Sequence, residues 1–408
     1  MISRRKPELV APAGNLEKLK AALDFGADAV YIGGQKFSLR AMAGNFSFSE
    51  MELAVCLAHK TGRRVYVTVN IFAHNRDIEE LGGYITDLEK LGVDGLIASD
   101  PGVVLLARET CPNIPITIST QASVSNYLSA VHYKNIGAKR IVAARELSLP
   151  ELAQIKERVD IELEVFIHGA MCLSYSGRCW LSQAMVGRDA NRGECAHPCR
   201  YRYHLVEEKR PGQYFPVTED ERGTYVMNSK DLCLIEKIPE LIEIGVDAFK
   251  IEGRMKSPHY VAAVVKVYRE AIDHAWEGLE PKVDKWSREL ERVASRPFTE
   301  GFVSGPANNS QDIYKPGFGN RVVFCGIVRG YDPAAKLMLV EQRAHFRPGD
   351  ELEFMEPGCE LVIRPAGRIL NSEMIEVDAA RHPQEMLWLE SDYAFRAGTL
   401  IGKLNDER

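Results

Sequence analysis

The stretch ELVAPAGNLEKLKAALDFGADAVYIGG, residues 8–34, contains one complete unit of the fold. Two short runs, ELVAPAG at 8–14 and AVYIGG at 29–34, enclose LEKLKAALDFGA, whose apolar residues recur at three and four positions. Apolar runs of strand length flanking a segment of helical period predict a strand–helix–strand unit. The pattern repeats. Further runs are RVYVTVN at 64–70, GLIASD at 95–100, ITIST at 116–120, RIVAA at 140–144, LEVFIHG at 163–169 and AFKIEG at 248–253. Amphipathic stretches such as SEMELAVCLAHKTG and IEELGGYITDLEKLGV lie between them. Eight such alternations over about 250 residues predict an α/β fold, a TIM-type (β/α)8 barrel. A doubly wound open sheet is the competing arrangement of the same pattern.

Three regions follow. Residues 1–256 form the barrel, interrupted between the seventh and eighth strands by a long insertion at 170–247. Residues 257–316 form a helical extension, opened by SPHYVAAVVKVYREAIDHAWEG, and a linker. Residues 317–408 change texture to short alternating runs such as VVFCGIV, ELEFM and LVIRP separated by Gly, Pro and Asp, which predict a small antiparallel, barrel-like β-domain.

At 408 residues the chain can bury a sizeable core without disulfides or metal. A formal charge of −6 argues against a broadly basic nucleic-acid coat but leaves room for a local basic patch. The N-terminus MISRRKPELVAPAG starts basic without entering an apolar signal core, and no apolar run approaches the ~20 residues a membrane span needs. The expected location is the cytoplasm, where thiols stay reduced, with no membrane partner.

That setting gives the nine cysteines their meaning. Cys56, Cys111, Cys325 and Cys359 are scattered in apolar or turn contexts and read as small buried hydrophobes. The other five fall inside the insertion: Cys172, Cys179, Cys195, Cys199 and Cys233. Cys172 follows the C-terminal end of the seventh strand, where barrels place their chemistry. Thiolates gathered by loops suit zinc or an iron–sulfur cluster. Structural zinc shows paired cysteines about two to four residues apart, and only Cys195 and Cys199 are so placed, so the wide spacings favour a cluster. Zinc and five inert core cysteines remain the alternatives. A four-cornered cluster would take Cys172, Cys179, Cys195 and Cys233, with Cys199 as the alternative.

The stretch EVFIHGAMCLSYSGRCWLS, Glu164 to Ser182, resembles the signature of the collagenase-like peptidase family U32. The opening segment, STQASVSN and FKIEGRMKS resemble other hallmarks of that family, and the likeness runs over nearly the whole chain. The C-terminal β-domain is most similar to the branch that hydroxylates tRNA. This resemblance implies a 4Fe-4S cluster on Cys172, Cys179, Cys195 and Cys233. It also implies prephenate-dependent hydroxylation of the wobble uridine to 5-hydroxyuridine, with tRNA, prephenate and a shorter paralogous family member as partners. The family's name implies instead a peptidase. His168 lies four positions before Cys172 and His197 lies between Cys195 and Cys199, an arrangement that does not specify a thiol–imidazole dyad. No HExxH metalloprotease helix is present. Peptidase activity is the alternative function, and a scaffold whose cluster only stabilises the fold is a third.

A barrel mouth is lined by strand ends, here Asn15, Asn70, Asp100, Gln121, Arg145, Glu146, His168, Glu252 and Arg254. Glu164 and His168, four apart in one strand, are expected on the same face. Glu164, His168 and Glu252 are the catalytic candidates, although Glu164 reads equally well as an interior carboxylate paired with Lys250 or an arginine. Lys250, Glu252 and Arg254 alternate in KIEGR. Arg145, Arg178, Gln121, Lys250 and Arg254 are candidate substrate-binding residues, the guanidinium groups suiting a dicarboxylate such as prephenate. An internal ion-pair network is the alternative. With an RNA substrate implied, Arg188, Arg192, Arg200 and Arg202 are candidates for phosphate, and Tyr201 and Tyr203 for stacking on a base.

Overall fold

The structure is a computed structural model. It describes residues 5–38, 45–171, 181–188, 196, 205–206, 214–215, 218–220, 223–225, 230–305 and 321–404. Strands β1 (Glu8–Pro12), β2 (Ala29–Gly33), β3 (Arg64–Val69), β4 (Gly95–Ala98), β5 (Ile116–Ile118), β6 (Arg140–Val142) and β7 (Glu162–Ala170) alternate with helices. These are α1 (Leu16–Asp24), α2 (Phe48–Lys60), α3 (Asn75–Leu91), α4 (Pro101–Thr110), α5 (Tyr127–Asn135) and α6 (Leu149–Arg158). Each strand pairs in parallel with the one before it.

The insertion includes α7 (Leu181–Val186), β8 (Leu205–Val206), β9 (Tyr214–Phe215), β10 (Thr218–Asp220) and β11 (Gly223–Tyr225), and returns on β12 (Asp231–Cys233). Helix α8 (Ile238–Ile244) leads to β13 (Ala248–Ile251), which pairs in parallel with both β7 and β1 and closes an eight-stranded barrel. The eight runs of the sequence are these eight strands. They are buried on both faces, which is why they read as near-continuous apolar runs and not as an alternation. Helices α9 (Pro258–Glu277) and α10 (Val283–Val293) follow, and β14 (Phe298–Thr299) pairs with β12. No helix among the described residues is long and apolar enough to cross a membrane.

Strand β7 is nine residues long and outreaches its neighbour. It pairs with β6 over Glu162–Glu164, and further along β12 pairs with it antiparallel over His168–Ala170. On its other edge Phe166 faces Lys250 while His168 faces Ile251, so Ile167 is an extra residue in the ladder. The side-chain period of a strand is two, and one inserted residue reverses the faces beyond it. The expectation that Glu164 and His168 share a face is therefore corrected. Glu164 points into the barrel, and His168 points outward to Tyr260 and Tyr268 of α9.

The inward face of the barrel carries a charge network in its lower half. The Glu8 carboxylate accepts from Arg140 at 2.7 Å and from the Tyr66 hydroxyl at 3.0 Å, and it pairs with Arg64 at 2.7 Å. Arg140 also donates to Glu162 at 2.9 Å and to Glu164 at 3.1 Å. Lys250 donates to the other Glu164 oxygen at 2.6 Å and lies 4.4 Å from the centre of the Tyr31 ring. Three carboxylates thus meet these three cations, and Lys139 lies 3.8 Å from Glu162 as a fourth. Burial by itself would raise the Glu164 carboxyl, but Lys250 and Arg140 outweigh it and hold that group ionised, below its ordinary range.

Beyond the barrel, β15 (Val322–Asp332), β16 (Leu337–Gln342), β17 (Glu351–Met355), β18 (Val362–Pro365), β19 (Ile369–Leu370), β20 (Glu376–Val377), β21 (Met386–Glu390) and β22 (Leu400–Leu404) form an antiparallel sheet. It runs in the order β18-β17-β22-β15-β16-β21-β19-β20 and has its own apolar core around Val328, Met338, Phe346 and Ile401. Charged contacts join it to the barrel: Arg292 of α10 pairs with Glu353 of β17, and Arg329 and Arg343 reach Glu17 of α1. His259 of α9, buried, stacks on Phe324 with ring centres 6.0 Å apart.

Burial, and then the Arg292 charge, push the His259 imidazole down to about 4. An unfolded chain protonates this histidine below its ordinary pKa of about 6.5 while the folded one does not. Its contribution is therefore complete above that value and is lost as the pH falls toward 4, by up to about 3 kcal/mol. Urea unfolding at several pH values should show this slope in the wild type and a shallower one in His259→Gln; equal slopes would contradict it.

Glu164→Gln leaves Lys250 and Arg140 short of a counter-charge and should cost about 3–5 kcal/mol of unfolding free energy. The double variant Glu164→Gln/Lys250→Met should cost less than the sum of the single ones. A single-variant cost under about 1 kcal/mol would mean water already screens the network.

Candidate active site

Above the charge network the strand ends form a polar rim. Arg254, three residues past β13 and buried, donates to Ser38 Oγ at 3.1 Å and to Asn45 Oδ1 at 2.5 Å. Ser38 in turn meets Thr68 Oγ1 at 2.7 Å, and Thr68 donates to the Ile32 carbonyl at 3.0 Å. Gly33, the last residue of β2, makes room for this guanidinium. A Cβ there would fall 2.3 Å from Arg254 Nη2 and 2.4 Å from Ser38 Oγ.

Across the mouth, Gln121 Oε1 accepts from Asn70 Nδ2 at 2.6 Å and from Ser119 Oγ at 3.0 Å. The turn that carries Gln121 ends on Ser123, whose φ of 52° lies in the left-handed region that few non-glycine residues adopt. The Arg145 guanidinium lies 3.9 Å from the centre of the Phe166 ring and donates to the Ala170 carbonyl. Its Nε is buried with no partner among the described residues. It borders a narrow recess lined by Leu147, Phe166, Leu232, Leu234 and Glu300. Asn15 and Asp100, also expected at the mouth, cap helices: Asn15 accepts from Lys18 N at 2.9 Å and Asp100 from Gly102 N at 2.7 Å. Lys250, expected to bind substrate, lies in the charge network with Glu164. Both are buried, and each engages the other.

A second polar cluster sits behind the barrel wall, between β7, β12 and α9. His168 packs edge-on against Tyr268 and Phe298, with ring centres 5.4 Å apart in each case. Desolvation pushes its imidazole down to about 3, Lys256 adding to the effect and Glu252 opposing it, so the ring is neutral. Glu252, buried, has its backbone against Gly169, where an added Cβ would meet the Glu252 carbonyl at 2.5 Å. Cys233 pairs in register with His168, and its Sγ lies 3.5 Å from the Tyr268 hydroxyl.

Of the five clustered cysteines only Cys233 can be placed; Cys172, Cys179, Cys195 and Cys199 lie outside the described residues, as do Arg178, Arg192, Arg200, Arg202, Tyr201, Tyr203 and His197. Arg188, half-buried, follows α7, and its amide reaches the Ser182 carbonyl at 3.4 Å. Burial pushes the Cys233 thiol up, with Glu236 and Glu300 adding to the effect, while two hydrogen-bond donors at the sulfur oppose it. The Ile235 amide and the Tyr268 hydroxyl approach its sulfur. Close by, the buried Tyr260 hydroxyl has no partner among the described residues and feels the charges of Asp231, Glu252 and Cys233. Two donors at the sulfur and a third hydroxyl nearby are groups that the sulfur atoms of a cluster could accept from. The two ends of the insertion also meet at this point, because β12 lies against the last residues of β7.

Several of these residues carry no motif. Glu8 and Arg140 are the first residues of β1 and β6, and their inward position follows from strand alternation once Val10 and Val142 are taken as inward too. Tyr260 and Tyr268 lie among the buried residues of α9, and the sequence gives no sign of the hydroxyl that Tyr268 brings to Cys233.

Family models match nearly the whole chain: Peptidase family U32 over residues 14–312 and Peptidase family U32 C-terminal domain over residues 320–401. The tRNA hydroxylation protein P1 of Bacillus subtilis is 43% identical over 402 residues, covering 98% of this chain and 95% of its own. The tRNA hydroxylation protein P of Escherichia coli is 37% identical over 394 residues, with 86% of each chain covered. The 23S rRNA 5-hydroxycytidine C2501 synthase of Escherichia coli is 38% identical over 272 residues, 67% of this chain and 40% of that one. With both of its folded regions matched and relatives aligned from end to end, the chain belongs to peptidase family U32.

Proposed function

We propose that this protein hydroxylates tRNA, converting the wobble uridine to 5-hydroxyuridine, with prephenate as co-substrate and a 4Fe-4S cluster. The observation that carries the proposal is the end-to-end likeness, at 43% identity over 98% of the chain, to a protein named for tRNA hydroxylation. The likeness to an enzyme named for rRNA hydroxycytidine synthesis points to the same chemistry, hydroxylation of a pyrimidine in RNA.

The ligands of the cluster are Cys172, Cys179, Cys195 and Cys233, with Cys199 as the alternative to Cys195. Held by four thiolates, such a cluster supplies one-electron transfer. The chain's own residues do the rest. A ring buried in a stacked nucleic acid must be turned out before an enzyme reaches its edge, and the rim at the barrel mouth is where it would arrive. Gln121, its amide oxygen engaged by Asn70 and Ser119, turns its amide nitrogen to the incoming base as a donor for a uracil carbonyl. Arg254 and Arg145 offer guanidinium groups to the carboxylates of prephenate. Glu252 stands between the rim and the Cys233 cluster and is the remaining catalytic candidate. Glu164 and Lys250 close the floor of the chamber and neutralise each other there. His168, neutral and behind the wall, serves the cluster side.

The peptidase reading draws its support from the family's name. Among the described residues no hydrogen bond joins a histidine ring to a cysteine sulfur; His168 and Cys233 are neighbours in the β7–β12 ladder, and both side chains turn to the Tyr268 hydroxyl.

Mass spectrometry of tRNA digests tests the proposal. Deleting the gene should remove 5-hydroxyuridine and the nucleosides derived from it; a plasmid copy should restore them, and a Cys233→Ala copy should not. Blocking prephenate synthesis in the host should reproduce the deletion. Digests unchanged by deletion reject the function, and digests unchanged by the prephenate block remove prephenate from it.

A further inference from the structure

We infer that Tyr268 is the hydrogen-bond donor to the Cys233 sulfur in the metal-bound state, oriented by His168, and that this contact sets the reduction potential of the cluster. The inference rests on the reading of Cys233 as a cluster ligand and goes beyond it to residues that ligate nothing.

The proton inventory of the site carries the case. The Tyr268 hydroxyl has one proton and two lone pairs; three groups surround it, and the Leu234 amide, whose main partner is the Ile167 carbonyl, lies alongside. The hydroxyl oxygen lies 2.9 Å from the Ile167 carbonyl, 3.3 Å from His168 Nδ1 and 3.5 Å from Cys233 Sγ. With a free thiol all three contacts are satisfied at once. The hydroxyl donates to Ile167, while the cysteine S–H and the Nδ1–H of His168 donate to the phenolic oxygen.

Ligation removes the thiol proton and leaves a sulfur that only accepts. The hydroxyl proton can then turn to the sulfur without leaving the Ile167 carbonyl bare, because the Leu234 amide already donates to that carbonyl at 2.9 Å. His168 keeps donating to the phenolic oxygen and so aims its proton at sulfur. The chain in the ligated state runs from His168 Nδ1–H through Tyr268 O–H to Cys233 Sγ, and no buried polar group in it loses its partner.

The surroundings make this donor count. Tyr268 and His168 are 0% and 1% exposed, so water does not replace a lost hydrogen bond at the sulfur. A hydrogen bond to a ligating sulfur stabilises the more negative, reduced cluster and raises the potential. Tyr268 is thus a positioning and tuning residue, not a catalytic one.

The test compares wild type, Tyr268→Phe and His168→Leu, purified without oxygen. For each, iron and sulfide are counted, the circular dichroism spectrum is recorded, and the midpoint potential is taken by redox titration followed by electron paramagnetic resonance. Tyr268→Phe keeps the ring and its packing. Its cluster should be complete and its potential more negative than that of the wild type. His168→Leu should shift the same way by a smaller amount, and decides the matter if Tyr268→Phe fails to fold. A folded Tyr268→Phe protein that cannot retain its cluster also supports the role, since the sulfur is then no longer held for ligation. Full clusters with unchanged potentials in the variants overturn the inference. Wild-type protein without iron and sulfide removes the cluster reading itself, and the inference with it.

Discussion

One extra residue in β7, Ile167, divides the molecule's polar groups into two compartments. Up to Phe166 the strand follows the barrel's alternation and sends Glu164 inward to Lys250 and Arg140. After the bulge the faces exchange, and His168 is delivered to the aromatic side chains of α9. The same strand runs on past β6, which exposes an edge for β12 to occupy. An unpaired edge at this depth would leave buried backbone groups without partners. Filling it with β12 fixes the return of the insertion, and with it the position of Cys233, to within one strand of the barrel mouth.

The compartments obey different electrostatics. Inside the barrel, Glu8, Glu162 and Glu164 are each paired with cations among Arg64, Arg140 and Lys250, with Lys139 reaching Glu162 from the surface, so no carboxylate of the lower interior is left without a counter-charge. Each member depends on its neighbours, since removing one partner of a buried pair leaves a charge that nothing solvates. Above this solid floor lies the polar rim of Arg254, Gln121 and Arg145, on which the proposed chemistry is placed. Behind the wall the Ile235 amide and the Tyr268 hydroxyl approach one sulfur, and the buried Tyr260 hydroxyl, without a partner among the described residues, feels the charges of that sulfur, Asp231 and Glu252.

The sequence showed the barrel well, because eight buried parallel strands each read as an apolar run and the helices between them keep their period. The antiparallel C-terminal sheet was legible on a different ground, from alternation and turn residues. The faces of individual side chains were less so. Nothing in EVFIHGA marks Ile167 as supernumerary, and a period-two reading therefore placed His168 beside Glu164. Asn15 and Asp100 looked like mouth residues because strand ends and helix caps are neighbours in a βα loop, and the same Asn or Asp suits both. The pairing of Glu164 with Lys250 or an arginine was one of two open readings, and the structure shows both partners. Tyr268 was invisible, since a tyrosine on the apolar face of a helix announces only its ring.

The central claim is that the insertion closes at the barrel mouth so that Cys233 can share a metal with cysteines from the rest of the segment. Anomalous diffraction at the iron edge, from crystals grown without oxygen, tests it most directly. The account predicts an iron peak at bonding distance from Cys233 Sγ, on the side of β12 that faces Tyr268. Density showing Cys233 in a disulfide, or iron bound by other cysteines with Cys233 left as a free thiol, would contradict it.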